Sequence, residues 1–253
     1  MNVEPYQAYF RLYAELNDHL PAGRQYKTLE KAFIVPSTVK DMIESFGVPH
    51  TEVDLVIAND RSVGFSYIVQ PNDRIAVYPM FESLDVTPEL RVRPQPLREP
   101  KFVLDVHLGK LAAYLRMLGF DATYKNSFTD VELVAISAGE RRILLTRDRG
   151  LLKHTAVTHG YWLRETDSRR QIAEIVRRCD LSGAVRPFTR CMACNAQLNS
   201  VSKEEVRCLV PARIAEAYDE FLRCEQCGRV YWKGSHYDRM RQWVEILRAS
   251  PLG

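Results

Sequence analysis

Along the first eighty residues apolar and polar side chains alternate in short runs, through Ala8, Phe10 and Leu12 and again through Phe33 and Val35, as they do in half-buried strands. Pro36 and Ser37 then open a helix, with Ser37 as N-cap, Val39, Met42, Ile43 and Phe46 on one face, and Gly47 where the helix ends. Leu55, Val56 and Ile57 run into the turn-prone pair Asn59 and Asp60, and Pro71-Asn72-Asp73 leads into a last strand through Arg74 to Tyr78. The order strand, strand, helix, strand, strand predicts a β-grasp domain over residues 1–84. Pro88, Pro94, Pro96 and Pro100, set among charged residues, predict a stiff linker over 85–100.

From Lys101 the period changes. Phe102-Val103-Leu104 reads as a strand ending at Asp105, and Leu108, Leu111, Ala112, Leu115 and Leu118 form a helical stripe stopped by Gly119. Ala122-Thr123-Tyr124 reads as the next strand, and Thr129-Asp130-Val131-Glu132 is a capping box opening a second helix. A third strand, Ile143-Leu144-Leu145-Thr146, ends near Asp148. A later helix, with Ser168 as its cap, carries Ile172, Ile175, Val176 and Cys179. This βαβ series predicts an α/β domain with a parallel sheet over 101–186. Residues 187–253 then hold two C-x-x-C pairs and a final helix with Met240, Trp243, Val244 and Leu247 on one face.

Charge divides along the chain. Residues 1–97 carry a net −4 and the remainder a net +7, which fits a polyanion held by the later domains. No run of about eighteen apolar residues occurs, and Met1 to Tyr6 lacks the basic and apolar regions of a signal peptide, so neither membrane spans nor classical secretion is expected. Six cysteines, four of them in the two pairs, suit metal thiolates in a reducing cytosol better than a disulfide scaffold, and the expected location is cytoplasmic.

In open α/β sheets ligands collect beyond the carboxyl ends of the strands. Asp105 and Asp148 follow strands directly, and Asp130 follows one after a short loop. Carboxylates gathered in a cleft repel one another unless a cation holds them, and Mg²⁺ or Mn²⁺ on such a group activates water for phosphodiester cleavage. Each acid also has a structural reading, Asp130 as a first-turn charge and the others as turn or cap residues. Lys110, Arg116 and Arg147 are either phosphate contacts or helix and turn charges. His107, beside the first acid, reads as a helix-start or packing residue rather than a general base.

Cys191-Met192-Ala193-Cys194 and Cys224-Glu225-Gln226-Cys227 stand 29 residues apart. Four thiolates in two such knuckles make a closed tetrahedral Zn²⁺ site, which is structural, and an inserted strand and helix from Val206 to Phe221 accounts for the long spacing. Cys179 and Cys208 are expected to be buried packing residues. The segment Arg229 to Tyr237 interleaves basic and aromatic side chains, a composition suited to single-stranded RNA and equally to a hairpin packed on the final helix. Lys233 and His236 are the candidate RNA contacts there, while Trp232 is expected to pack.

The N-terminal segment resembles the ubiquitin-like sulfur carriers, through its Val39 to Phe46 stripe and its ending at Arg74-Ile75-Ala76-Val77-Tyr78. Carriers need a free Gly-Gly carboxylate, whereas this chain continues through Pro79-Met80-Phe81-Glu82, so a docking or packing module is expected instead, a protein partner being what it would dock. Phe102 to Asp121 and Arg142 to Leu152 resemble the Mut-seven C-terminal RNase family, PIN-like nucleases that carry a zinc ribbon behind and often a ubiquitin-like domain in front. The resemblance covers about residues 101–243. It implies a metal-dependent ribonuclease in which Asp105 is the first-strand metal ligand, Asp130 the mid-domain acid and Asp148 the aspartate of the Thr-x-Asp turn. Arg149 and Gly150 stand where PIN nucleases often place a fourth acid, and Asp167 is the candidate substitute. The alternative is a non-catalytic RNA-binding or adaptor protein with a degenerate nuclease fold.

Overall fold

A computed structural model describes residues 4–79 and 100–249. The chain forms β1 (Tyr6–Leu12), β2 (Thr28–Phe33), α1 (Val39–Ser45), β3 (Val53–Ala58), β4 (Arg61–Ser62) and β5 (Arg74–Pro79). It continues with β6 (Lys101–Leu104), α2 (Gly109–Met117), β7 (Asp121–Thr123), α3 (Asp130–Glu140), β8 (Ile143–Thr146), α4 (Arg149–Leu152), β9 (Gly160–Trp162) and α5 (Ser168–Arg178). The last elements are β10 (Leu198–Val201), α6 (Lys203–Val206), α7 (Ala212–Ala217), β11 (Phe221–Cys224), β12 (Val230–Trp232) and α8 (Ser235–Ala249). Apart from Pro100, the expected linker lies outside the described residues.

These elements fall into two compact units, one from residues 4–79 and 129–162 and the other from 100–128 and 163–249. In the first, β1 lies between antiparallel β2 and parallel β5, and β3 and β4 complete a five-stranded sheet in the order β2-β1-β5-β3-β4. This is the β-grasp arrangement that the strand alternation predicts. Ala8, Phe10 and Leu12 face Val39, Met42 and Ile43 of α1 across the core, because period two in the strand and period 3.6 in the helix each leave one apolar face. Helix α1 is capped by Thr38, whose hydroxyl accepts the Asp41 N–H at 3.1 Å, rather than by Ser37. The turn into β5 is fixed by the buried Asp73 carboxylate, which accepts from Asn59 Nδ2 (2.6 Å), Gln70 N (2.8 Å) and Tyr67 Oη (2.9 Å). Strands β8 and β9 of the same unit pair in parallel, with Thr146 opposite Trp162.

The second unit contains the parallel pair β6 and β7. Every member of the predicted α2 stripe, Leu108, Leu111, Ala112, Leu115 and Leu118, is buried. Helix α5 presents Ile172, Ile175 and Val176 inward and is capped by Asp167, whose carboxylate accepts from the Arg169 and Arg170 amides, rather than by Ser168. Asp167 is thereby occupied as a cap. The antiparallel sheet β10-β11-β12 follows; between the cysteine pairs come β10, α6 and α7, so the stretch from Val206 to Phe221 holds the expected helix as α7 but no inserted strand before β11. Cys179 is half-buried and Cys208 exposed, so neither is the buried packing residue that its apolar neighbours suggest.

Gly119 ends α2 with φ +95°, and a Cβ there would lie 2.0 Å from the Arg186 carbonyl oxygen. Left-handed backbone and backbone collision combine, so Gly119→Ala is expected to destabilise the second unit by about 2–4 kcal/mol. Urea unfolding followed through the tryptophans checks this.

Candidate functional site

The two cysteine pairs fold into matching knuckles. The Cys191 N–H donates to Ala196 O (2.8 Å) and the Asn195 N–H to Cys191 O (2.9 Å); Cys224 to Arg229 O (2.9 Å) and Gly228 to Cys224 O (3.1 Å) repeat the pattern. Each knuckle needs a left-handed residue after its second cysteine, Asn195 at φ +74° and Gly228 at φ +71°, types that tolerate this conformation. The four sulfurs lie within 4.8 Å of one another, and none is in a disulfide. Among the described residues, this is the one group of three or more His, Cys, Asp or Glu whose ligand atoms close to such separations.

The donor set fits zinc: four soft sulfurs in two knuckles, enough to close a tetrahedral site. Burial raises the Cys191 thiol, but hydrogen bonds from the Tyr231 hydroxyl (3.2 Å) and from the Cys194 and Ala193 amides outweigh it and pull the group down to about 6. Burial and the facing sulfurs push Cys194 up to about 12. Sulfurs this close cannot all ionise without a cation, and a divalent ion removes the conflict.

The first knuckle is clamped to the nuclease-like strands of its own unit. Arg116 is buried on α2; its Nε donates to Ala122 O (2.8 Å) and its Nη1 to Met192 O (3.2 Å) and Ala193 O (2.8 Å). Asn195 adds a bond to Asp121 Oδ1 (2.7 Å) and accepts the Ala122 N–H (3.0 Å). Burial draws the Arg116 pKa down, while the charge of Cys194 and Cys191 holds it up. Arg116, expected on phosphate, is therefore turned inward, because its donors are spent on carbonyls beside the sulfurs. Four thiolates around Zn²⁺ would carry a net double negative charge, and this guanidinium would offset part of it.

Each of the three aspartates expected at a catalytic centre stands at the end of an element. Asp105 follows β6, half-buried, and its carboxylate accepts the Val106 N–H at 2.6 Å. The next turn is braced by Tyr124, whose hydroxyl donates to Val106 O at 2.7 Å. Asp130 is the exposed first residue of α3, behind the capping box of Thr129 and Glu132. Asp148 follows β8, is exposed, and caps α4 by accepting the Gly150 N–H at 2.7 Å. Lys110 in the first turn of α2 and Arg147 beside Asp148 are both exposed.

A groove of about 880 Å³ opens in the C-terminal region, lined by Phe188, Tyr218, Trp232 and Tyr237 and edged by Lys233 and His236. Trp232 is half-buried in this wall rather than fully packed. Lys233 is paired with Glu220, which raises its pKa.

Purified protein is expected to hold one zinc per chain, and Cys191→Ser or Cys224→Ser to release it and unfold the ribbon, since a closed thiolate site contributes folding free energy. Arg116→Met should cost about 3 kcal/mol through orphaned carbonyls and weaken zinc retention while leaving RNA affinity unchanged. Metal analysis against a chelator series, with RNA titration of the same variant, checks both.

Comparison with known proteins gives two family matches. The family described as Mut7-C RNAse domain matches residues 100–244, and that described as Mut7-C ubiquitin matches residues 6–85. No curated protein and no solved structure matches at a significant level. The first match takes in the acid-bearing strands and all four cysteines, more than half the chain, and the second takes in the β-grasp sheet. The chain therefore belongs to the Mut7-C RNAse domain family, with a Mut7-C ubiquitin domain in front.

Proposed function

We propose that the protein is a cytoplasmic, metal-dependent ribonuclease that cleaves RNA phosphodiester bonds. The observation that carries this reading is the family match across 100–244, within which Asp105 and Asp148 leave the carboxyl ends of β6 and β8. Ligand sites of open α/β sheets form at such ends. Asp105, Asp130 and Asp148 would hold Mg²⁺ or Mn²⁺, which when bound supplies an activated water and charge stabilisation at a phosphoryl oxygen. Lys110 and Arg147, both exposed, meet the phosphate backbone. Lys233 and His236 do the same beside the aromatic groove, where unstacked bases find ring faces. Free cysteines grouped as metal thiolates support the reducing compartment. Among the described residues no helix is long and apolar enough to cross a membrane.

One observation favours the second reading, a non-catalytic RNA-binding protein: Asp148 already serves as a helix cap. Asparagine separates the two, because its side-chain oxygen still caps while the charge is gone. Asp105→Asn, Asp130→Asn and Asp148→Asn should each lower cleavage of a single-stranded RNA in Mn²⁺ by about a hundredfold. RNA affinity should hold, since it rests on the basic residues. Wild-type rates in all three variants would sink the catalytic assignment, and RNA binding without cleavage in the wild type would establish the second reading.

A further inference from the structure

The ubiquitin-like module and residues 129–162 meet through buried polar groups of a kind that a tethered docking domain does not need. Lys153 Nζ donates to Glu44 O at 2.8 Å. His50 Nε2 lies 3.0 Å from Val157 O, and because a carbonyl only accepts, that nitrogen is the donor, while Nδ1 lies 2.6 Å from Glu44 Oε1. The Glu52 side chain is fully buried, with one carboxylate oxygen 2.9 Å from His19 Nε2 and the other accepting the Trp162 N–H at 2.7 Å.

From Trp162 the contacts run to the Asp148 turn. The indole Nε1–H donates to Arg147 O at 3.1 Å, and the Asp148 N–H donates to Thr146 Oγ1 at 2.9 Å. The carbonyl of residue 147 and the amide of residue 148 belong to one planar peptide unit, so that plane is pinned at both polar atoms. Arg149 adds a guanidinium 5.0 Å from the Trp162 ring centroid, with a hydrogen bond of 3.4 Å to His19 O. The tilt of the pinned plane sets the backbone at Asp148 and hence the direction of its carboxylate.

We propose that Glu52 and Trp162 are positioning residues, through which the ubiquitin-like module sets the Arg147–Asp148 peptide and makes the nuclease centre depend on that module in cis. Its catalytic half rests on the ribonuclease reading; its structural half does not. In the full chain, Glu52→Ala and Trp162→Phe should lower the amide order parameters of Asp148, Arg149 and Gly150 from about 0.85 toward about 0.6. Both should cut turnover about tenfold with KM unchanged. Glu52→Gln, whose amide oxygen still accepts from Trp162, should restore both readouts, and β1 and β5 should stay rigid throughout. Trp162→Phe keeps a ring in place and guards against simple unfolding. Unchanged order parameters in that variant, or loosening spread equally through β1 and β5, would overturn the proposal. A wild-type chain that cuts no RNA would overturn the nuclease reading alone, and the order parameters would still decide the positioning role.

Discussion

A guanidinium taken out of water must meet acceptors on several sides, and in this molecule Arg116 meets them on β7 and on the first cysteine knuckle. Helix α2, strand β7 and the knuckle share that one side chain. The requirement is electrostatic as well as geometric: four thiolates on a divalent ion would carry excess negative charge, and a cation held at the adjacent carbonyls would offset part of it. Asn195 completes the arrangement by spending its amide on Asp121 and on the Ala122 N–H. The metal centre is thus part of the nuclease-like unit's framework.

The ubiquitin-like module has an apolar core, with buried polar residues such as His19, His50 and Glu52 beside it. The shared unit and the buried Glu52 make it part of the fold of residues 129–162 rather than a separable appendage. Removing the module would strip the acceptor from the Trp162 amide and expose the face covered by His19 and His50.

Local signals were legible where the cause is local. The α2 stripe, the Thr129 capping box, the two knuckles and the β-grasp order all follow from spacing within a few turns of chain. Cap identity slipped by one at Ser37 and Ser168, because the adjacent Thr38 and Asp167 offer the same acceptor and packing decides which residue leaves helical geometry. Helix α6 carried its own signal, Ser202 with Glu205 in a capping box, just before the stretch from Val206 expected to hold a strand and a helix. Arg116 was not legible, since its partners Met192 and Ala193 lie far along the chain and a basic residue near a helix end looks alike in either role. Glu52 gave no sign either, as an acid in the polar stretch His50 to Asp54 looks solvent-facing until its distant donors, His19 and the Trp162 amide, are known.

The near-identity of the two knuckles hides a difference in anchorage. At the equivalent left-handed position one has Asn195, with a side chain that grips Asp121, and the other has Gly228, with none. One half of the cysteine cluster is therefore mortised into β7, while the other is tied to the first through the β10–β11 pairing, where Leu198 stands opposite Cys224. A metal bound by all four sulfurs would add to that sheet a second crosslink between the halves, one that protons and chelators can break.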